Sequence, residues 1–198
     1  MKGKVSKNKF LKVVLPALLV VAIICQAVGF QVVLAKGNVA TTSSDSISNL
    51  TDQQLQALTN PILQSYKADS SHKVWKMTND SRLAVLANQT NIENARLQEV
   101  VKLVNSEFVE KEIISSPLAM VYAQEKDVSY GDILIDIDQT SSITSSSNSK
   151  EAYKITIGEN GVRLTGASEN AIMHGLRTIQ NLIITNDGLV YGEIVDYP

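Results

Sequence analysis

Residues 151–168 read Glu-Ala-Tyr-Lys-Ile-Thr-Ile-Gly-Glu-Asn-Gly-Val-Arg-Leu-Thr-Gly-Ala-Ser, and this stretch decides the fold. Apolar and polar residues alternate on both sides of Asn160-Gly161, which is the pattern of two antiparallel strands joined by a tight turn. We therefore predict strands over 152–157 and 162–167, with the turn provided by two residues that tolerate positive φ.

The segment after this hairpin has the spacing of an amphipathic helix. Ser168 is a good N-cap, and the predicted helix covers 169–185, with the apolar face Ile172, Leu176, Ile179, Leu182 and Ile183. Gly188 suits the left-handed position that ends a helix. A last short strand is predicted over 189–195.

The residues before the hairpin supply the other elements. Ile133, Ile135 and Ile137 alternate with polar residues and predict a strand within 131–138. Further strands are predicted over 72–77, 82–87 and 118–123, the first two joined by a turn at 78–81, with a helix over 91–113 and a serine-rich surface loop over 141–149. The order indicates an α+β fold, a mixed β-sheet with two helices packed on one face.

Length and composition exclude several classes of protein. The 198 residues allow one ordinary domain and a tail. The single cysteine excludes an intramolecular disulfide framework and a zinc site of four thiolates. The net charge of −2 gives no sign of nucleic-acid binding.

The first 35 residues differ from the rest. They carry five lysines and no acid, whereas the remainder has 13 basic against 20 acidic residues, a net −7. A basic start, an apolar run over 13–24 and small residues at the cleavage point are typical of a signal peptide. We predict cleavage after Ala35 and a secreted or cell-surface bacterial protein; the alternative is an uncleaved anchor helix over 13–35. Ile24 before Cys25 argues against a lipoprotein signal.

The predicted mature chain has two parts. Residues 36–60 are polar and predict a spacer, with one weak helix starting at Thr51. The folded domain is predicted over 61–198.

No catalytic, cofactor-binding or metal-ligating residue is predicted. His72 and His174 lack the spacing of a metal site. Asp132, Asp136 and Asp138 share one face of their strand, and they indicate either a solvated sheet face or a metal-binding acidic strand.

Other residue patterns that could indicate a function have structural or chance explanations. The glycines of 158–161 belong to a hairpin, because no lysine and no helix follow them as in a phosphate loop. Trp75 could stack on a sugar, but a single Trp within a strand is more often a core residue. The Asn-x-Ser/Thr triplets at Asn49, Asn79 and Asn88 are chance matches in a bacterial protein.

Several motifs in order resemble a known family. They are the hairpin over 151–168, Gly175-Leu176-Arg177-Thr178-Ile179-Gln180-Asn181-Leu182 and Ile194-Val195-Asp196-Tyr197-Pro198, preceded by Trp75, Ser81-Arg82-Leu83 and Gly131-Asp132-Ile133. Together they resemble the N-terminal domain of glycoside hydrolase family 20, the β-N-acetylhexosaminidases. A similar domain also precedes the barrel in other glycosidase families, such as family 84.

The resemblance implies a domain without catalytic residues. In the family this domain precedes a (β/α)₈ barrel, and the Asp-Tyr-Pro segment leads into the first barrel strand. The barrel supplies an adjacent Asp-Glu pair for substrate-assisted hydrolysis, whereas this sequence has no Asp-Glu dipeptide. The implied partner is thus the catalytic barrel of a parent enzyme that hydrolyses terminal N-acetylhexosamine, and no cofactor is implied.

Two other functions remain open from the residues. A stand-alone secreted module that binds glycans or a protein is compatible with the spacer and the acidic charge, although the low aromatic content of 5 % argues against it. The other function is that of a self-sufficient enzyme with an unfamiliar site, and no motif in the sequence supports it.

Overall fold

The computed structural model describes residues 47–140 and 150–197. The predicted signal segment, the first part of the predicted spacer and the serine-rich loop lie outside the described residues. The helices are α1 (Asp52–Gln56), α2 (Gln89–Ile92), α3 (Ala95–Glu110) and α4 (Glu169–Asn186), with a 3₁₀ turn at Glu125–Asp127. The strands are β1 (Ser65–Ala68), β2 (Val74–Trp75), β3 (Arg82–Leu86), β4 (Ala119–Ala123), β5 (Ile133–Ile137), β6 (Tyr153–Gly158), β7 (Gly161–Gly166), β8 (Leu189–Val190) and β9 (Gly192–Asp196).

Seven strands form one mixed sheet in the order β1-β9-β6-β7-β5-β3-β4. The β3–β4, β3–β5 and β5–β7 pairs are parallel. The β6–β7, β6–β9 and β1–β9 pairs are antiparallel. The predicted α+β class with a mixed sheet is therefore confirmed. Among the described residues, no helix is long and apolar enough to cross a lipid bilayer.

Both long helices share one hydrophobic core with one face of the sheet. Alternation along each strand sends every second side chain to this face. The core includes Leu83, Val85, Ile133, Ile135, Val162 and Leu164 from the strands, and Leu97, Val101, Phe108, Ile172, Leu176 and Ile179 from α3 and α4. The opposite face has only a small apolar cluster of Ala84, Ala123 and Leu134.

The helix predicted over 91–113 is two helices. Asn88 caps α2 by accepting a hydrogen bond from the Asn91 amide at 2.8 Å. Asn94 then caps α3 by accepting from the Leu97 amide at 2.9 Å. A side-chain oxygen that satisfies the first free amides starts a new helix, so the chain turns between the two caps although the apolar spacing continues through them.

The predicted strand over 72–77 does not pair with its neighbour in sequence. Strand β2 instead pairs with β8 in a separate two-stranded sheet, with Val74 opposite Val190. The predicted last strand is accordingly split into β8 and β9. The split lies at Tyr191. The next residue, Gly192, begins β9 with a φ of +149°, and a Cβ there would lie 2.1 Å from the Lys67 carbonyl oxygen.

The hairpin that decides the fold is confirmed as strands β6 and β7, with a different turn. Gly158 pairs with Gly161, so the two turn residues are Glu159 and Asn160. Only Gly161 has a positive φ, +93°. The glycine is thus the first residue of the second strand, and the register continues without a bulge, with Ile157 opposite Val162.

Helix α4 begins at Glu169 as predicted and ends at Asn186, one residue later than predicted. Ser168 accepts a hydrogen bond from the Ala171 amide at 3.3 Å. At the other end Asp187, with φ +59°, occupies the left-handed position predicted for Gly188. Gly188 is instead required by close packing, since a Cβ there would lie 2.7 Å from the Trp75 carbonyl oxygen in β2.

This assignment separates two variants at the end of α4. Asn tolerates the left-handed conformation, so Gly188→Asn would be mild if Gly188 were the cap. The new side chain of Gly188→Asn would collide with β2, so we expect this variant to lose about 1–3 kcal/mol of unfolding free energy in urea titrations. Asp187→Gly, which relieves the left-handed residue, should be neutral or slightly stabilising. The opposite order of stabilities would contradict the assignment.

The packed domain begins before residue 61. Helix α1 lies in the predicted spacer, where a weak helix starting at Thr51 was predicted, and Thr51 caps it by accepting a hydrogen bond from the Gln54 amide. Leu55 is fully buried in the main core, and Ile47 is buried there too. Residues 47–60 therefore pack with the domain, since Leu50 and Leu58 also pack against this core. Strand β1, which the sequence did not predict, follows directly.

Candidate functional site

The three aspartates around β5 form neither a solvated face nor a metal site. Asp132 and Asp136 are only 2 % and 6 % exposed. Asp138 lies beyond the strand and accepts a hydrogen bond from the Thr140 amide at 2.8 Å. Across residues 47–140 and 150–197, no group of three or more His, Cys, Asp or Glu side chains could hold a metal ion.

Asp132 is held by an arginine from the neighbouring strand. Arg82 donates from Nε to Oδ1 at 2.9 Å and from Nη2 to Oδ2 at 2.5 Å, and the Ser129 amide donates to Oδ2 at 2.8 Å. Burial alone would raise the pKa of Asp132, but Arg82 and the Ser129 amide outweigh it and hold the pKa below its usual range. The carboxylate is ionised at neutral pH and fixes the loop before β5.

The lowered pKa of Asp132 predicts a pH dependence of stability. A carboxylate whose pKa is depressed by folding stabilises the protein above the unfolded-state pKa, about 4, and this contribution is lost as the pH falls through the folded-state value. We expect the unfolding free energy from urea titrations to fall less steeply below about pH 4 in Asp132→Asn than in the natural protein. Equal slopes would mean that the Arg82 contact does not shift the carboxyl group.

Asp136 is the centre of a polar cluster on the same sheet face. It accepts hydrogen bonds from Arg163 at 3.2 Å, from Asn88 at 3.2 Å and from Asn91 at 3.0 Å. Arg163 also pairs with Glu125 in the 3₁₀ turn. The cluster ties β5, β7 and the start of α2 together, and every carboxylate oxygen has a donor. It is a structural cluster, not a reactive one.

Sequence reasoning missed the partners of Asp136. Asn88 and Asn91 had the residue types of helix caps, and Arg163 had the position of a strand residue opposite β5, but they come from two separate elements, the start of α2 and β7. Asn88 uses its side chain to cap α2 and to bind Asp136. This agrees with the reading of its Asn-x-Thr triplet as a chance match.

A second buried polar cluster lies at the end of β9. Asp196 accepts from the Tyr153 hydroxyl at 3.0 Å and from the Gln64 amide at 3.2 Å, and the Tyr153 hydroxyl also lies 2.6 Å from the Thr178 hydroxyl. Burial raises the pKa of Tyr153, so this phenol stays neutral. The cluster borders a cavity of about 220 Å³ whose lining also includes Pro61, His174, Arg177 and Asn181.

The remaining candidates are not brought together into a site. His72 is exposed in a loop with φ +49°, and His174 lies on α4. Trp75 is fully buried and donates from Nε1 to the Tyr130 carbonyl at 2.7 Å, so it is a core residue and offers no face to a sugar.

The larger groove on the sheet face also lacks a stacking surface. It has a volume of about 590 Å³, and its charged lining residues are Glu125, Lys126, Glu159 and Arg163. No aromatic side chain of the described residues lines it. Because sugar-binding grooves commonly use aromatic faces and convergent polar groups, the groove gives no support to a glycan site.

The seam between α3 and α4 contains one unsatisfied buried group. Glu107 pairs with Arg177 at 2.6 Å, and Lys111 donates to the Gln180 side-chain oxygen one turn further on. Gln180 is fully buried, and its Nε2 has no hydrogen-bond partner in the described structure. A buried donor without an acceptor costs about 1–3 kcal/mol.

The orphaned amide of Gln180 gives a further prediction. Gln180→Met keeps the length of the side chain and removes the unsatisfied donor, and Lys111 is exposed to solvent without it. We therefore expect the unfolding free energy to stay equal or to rise by up to about 1 kcal/mol. A loss above about 1 kcal/mol would show that the amide has a partner.

Solved structures of glycosidases share this fold. The N-acetyl-β-hexosaminidase of Streptomyces plicatus matches with a TM-score of 0.51 at 15 % identity, over 70 % of this chain and 26 % of that one. The chitobiase of Flavobacterium johnsoniae has a TM-score of 0.49 at 14 % identity, over 70 % and 20 % of the two chains. The chain thus spans about a quarter or less of these two relatives. No curated protein matches by sequence.

A family model matches most of the chain. The match covers residues 59–197, and its description is glycosyl hydrolase family 20, domain 2. These residues run from the turn before β1 to the end of β9. The match therefore includes all strands, the two long helices and both buried polar clusters. The chain belongs to glycosyl hydrolase family 20, domain 2.

Proposed function

We propose that this chain is the non-catalytic N-terminal domain of a secreted bacterial β-N-acetylhexosaminidase, and that it packs against a catalytic (β/α)₈ barrel. The observation that carries the proposal is the family match over 59–197. The N-acetyl-β-hexosaminidase of Streptomyces plicatus supports it at the level of the fold, and this chain covers 26 % of that one.

The chemistry of the acidic residues supports a role without catalysis. Hydrolysis in this family needs an acid that can protonate the leaving group. The buried aspartates are already engaged, Asp132 by Arg82, Asp136 by Arg163 and two side-chain amides, and Asp196 by Tyr153. Each is held for structure, and the sequence has no Asp-Glu dipeptide.

The distribution of exposed apolar residues supports a packing partner. Ile62, Ile184 and Tyr197 are exposed large apolar side chains. Ile62 and Tyr197 directly follow Pro61 and Asp196, which line the 220 Å³ cavity. Ile184 lies one turn beyond Asn181, another lining residue. Each of the three exposed apolar residues is close in sequence to a residue that lines the cavity, and we place the barrel contact there.

The proposal is tested by the coding sequence beyond the codon of Pro198. We expect the reading frame to continue through an Arg-Gly pair and then through about 200–250 residues of barrel, with one adjacent Asp-Glu pair at a strand end. A frame that continues into an unrelated domain would contradict the assignment to a hexosaminidase.

The position of the contact is tested in the protein that this frame encodes. We expect Ile62→Ser and Ile184→Ser together to lower the midpoint of thermal unfolding, because a docked domain would bury both side chains. Ile92→Ser, at a comparably exposed apolar residue outside the cavity rim, is the matched control. Equal effects of the double variant and the control would place the contact elsewhere.

A further inference from the structure

The two edge strands of the sheet, β1 and β4, differ in how well they are protected from pairing with another chain. Strand β1, at one edge, has only four residues and carries Lys67. Helix α1 packs beside it, and Asp52 accepts a hydrogen bond from the Ala68 amide at 2.9 Å. A short strand, a lysine and a capped amide are the usual means by which proteins prevent an edge from pairing with another chain.

Strand β4, at the other edge, has none of these protections. Its residues are Ala-Met-Val-Tyr-Ala, without charge and without proline, and it pairs in the sheet with β3 alone. The Ala87 amide donates to the Ala123 carbonyl at 2.9 Å. Because directions alternate along a strand, the backbone groups of Ala123, Val121 and Ala119 face β3, and those of Met120 and Tyr122 face away from the sheet.

The outward groups of Met120 and Tyr122 are open to a further strand. Among residues 47–140 and 150–197, no hydrogen bond to these two amides or two carbonyls is found. Tyr122 is 44 % exposed. An uncharged edge with unpaired backbone groups is a template for strand addition.

We propose that the β4 edge pairs antiparallel with β4 of a second copy of this chain, about a twofold axis at Val121. In this register Met120 lies opposite Tyr122 of the second copy, and the two residues exchange both N–H···O bonds. The same exchange occurs on the other side of the axis. All eight outward backbone groups of the two strands are then satisfied by four hydrogen bonds.

The side chains favour a second copy as the occupant. The strand carries no charge, so two copies meet without like-charge repulsion. The Met120 sulfur faces the ring of Tyr122 of the second copy, which is a favourable contact. Val121 lies opposite Val121 of the second copy. Within its own chain it already packs against the small apolar cluster of Ala84, Ala123 and Leu134.

The contact area sets the strength of the association. Five paired residues on each side bury less than the roughly 1,200 Å² of a standard stable interface. The association is therefore weak and reversible, and it is seen at high protein concentration. This inference goes beyond the proposed function and does not rest on it.

The test is sedimentation velocity of the natural chain over a wide concentration range. We expect the weight-average sedimentation coefficient to rise from monomer toward dimer. Tyr122→Lys should raise the dissociation constant at least about tenfold, because a lysine protects an edge. Ile92→Lys, at a side chain of similar exposure, 46 %, is the matched control and should leave the constant unchanged. Circular dichroism confirms that both variants fold.

Three results would overturn the proposal. The first is a protein that stays monomeric at every concentration. This holds even if the monomer binds an added peptide of residues 117–124, because the β4 edge would then accept a separate peptide but not a second copy of the chain. The second is an association that Tyr122→Lys leaves unchanged. The third is an equal loss in both lysine variants, which would indicate a general effect of charge.

Discussion

Replacement of Trp75 by alanine is expected to lower the unfolding free energy by about 3–5 kcal/mol. The side chain is fully buried, and its Nε1 donates to the Tyr130 carbonyl at 2.7 Å. Its loss removes the packing of β2 and leaves that carbonyl without its donor. Because small domains have only about 5–15 kcal/mol of stability, we expect a large shift of the urea midpoint, followed by circular dichroism since the variant lacks tryptophan.

The control for this experiment is Trp75→Phe. Phenylalanine keeps an aromatic ring in the core but has no N–H group, so the cost should lie between those of the natural residue and alanine. If Trp75→Ala cost less than about 1 kcal/mol, Trp75 would not be a core residue, and a role in stacking on a ligand would have to be considered again.

Replacement of Leu55 by alanine is expected to lower the unfolding free energy by about 2–5 kcal/mol. Leu55 is fully buried in the main core although it lies in a segment that the sequence indicated to be a spacer. A deleted core side chain loses its transfer free energy and leaves a cavity. Urea titration of the purified variant measures the loss directly.

Gln53→Ala is the matched control for Leu55→Ala. It lies two residues earlier on the same short helix and is exposed, so the change should stay within about 0.5 kcal/mol. If both variants were equally mild, helix α1 would not contribute to the stability of the domain, and the folded part would begin near residue 61 as the composition alone indicated.

Strong local patterns made part of the fold predictable. The alternation in β5, β6 and β7 and the Ser168 cap lie within short stretches of sequence, and the structure has these elements within a residue or two of the prediction. Features that depend on distant contacts were not predictable. Strand β2 has two residues and pairs with β8 more than 110 residues later, and no local period reports such a pairing.

The candidate site was likewise predictable only where it depends on local sequence. The sequence singled out Asp132, Asp136 and Asp138, because the three acids share one face of a predicted strand. It could not show that Arg82, 50 residues earlier, neutralises the first and that Arg163 pairs with the second. The difference between a ligand set and a structural ion pair depends on what the fold places opposite each acid, which a single strand does not contain.

We expect the purified protein to have no hydrolase activity of its own. Circular dichroism should first show a folded α+β protein. Incubated with a chromogenic N-acetylglucosaminide, it should release no chromophore above the rate of the buffer alone. Clear turnover by the folded protein, scaling with its concentration, would contradict the proposed non-catalytic role.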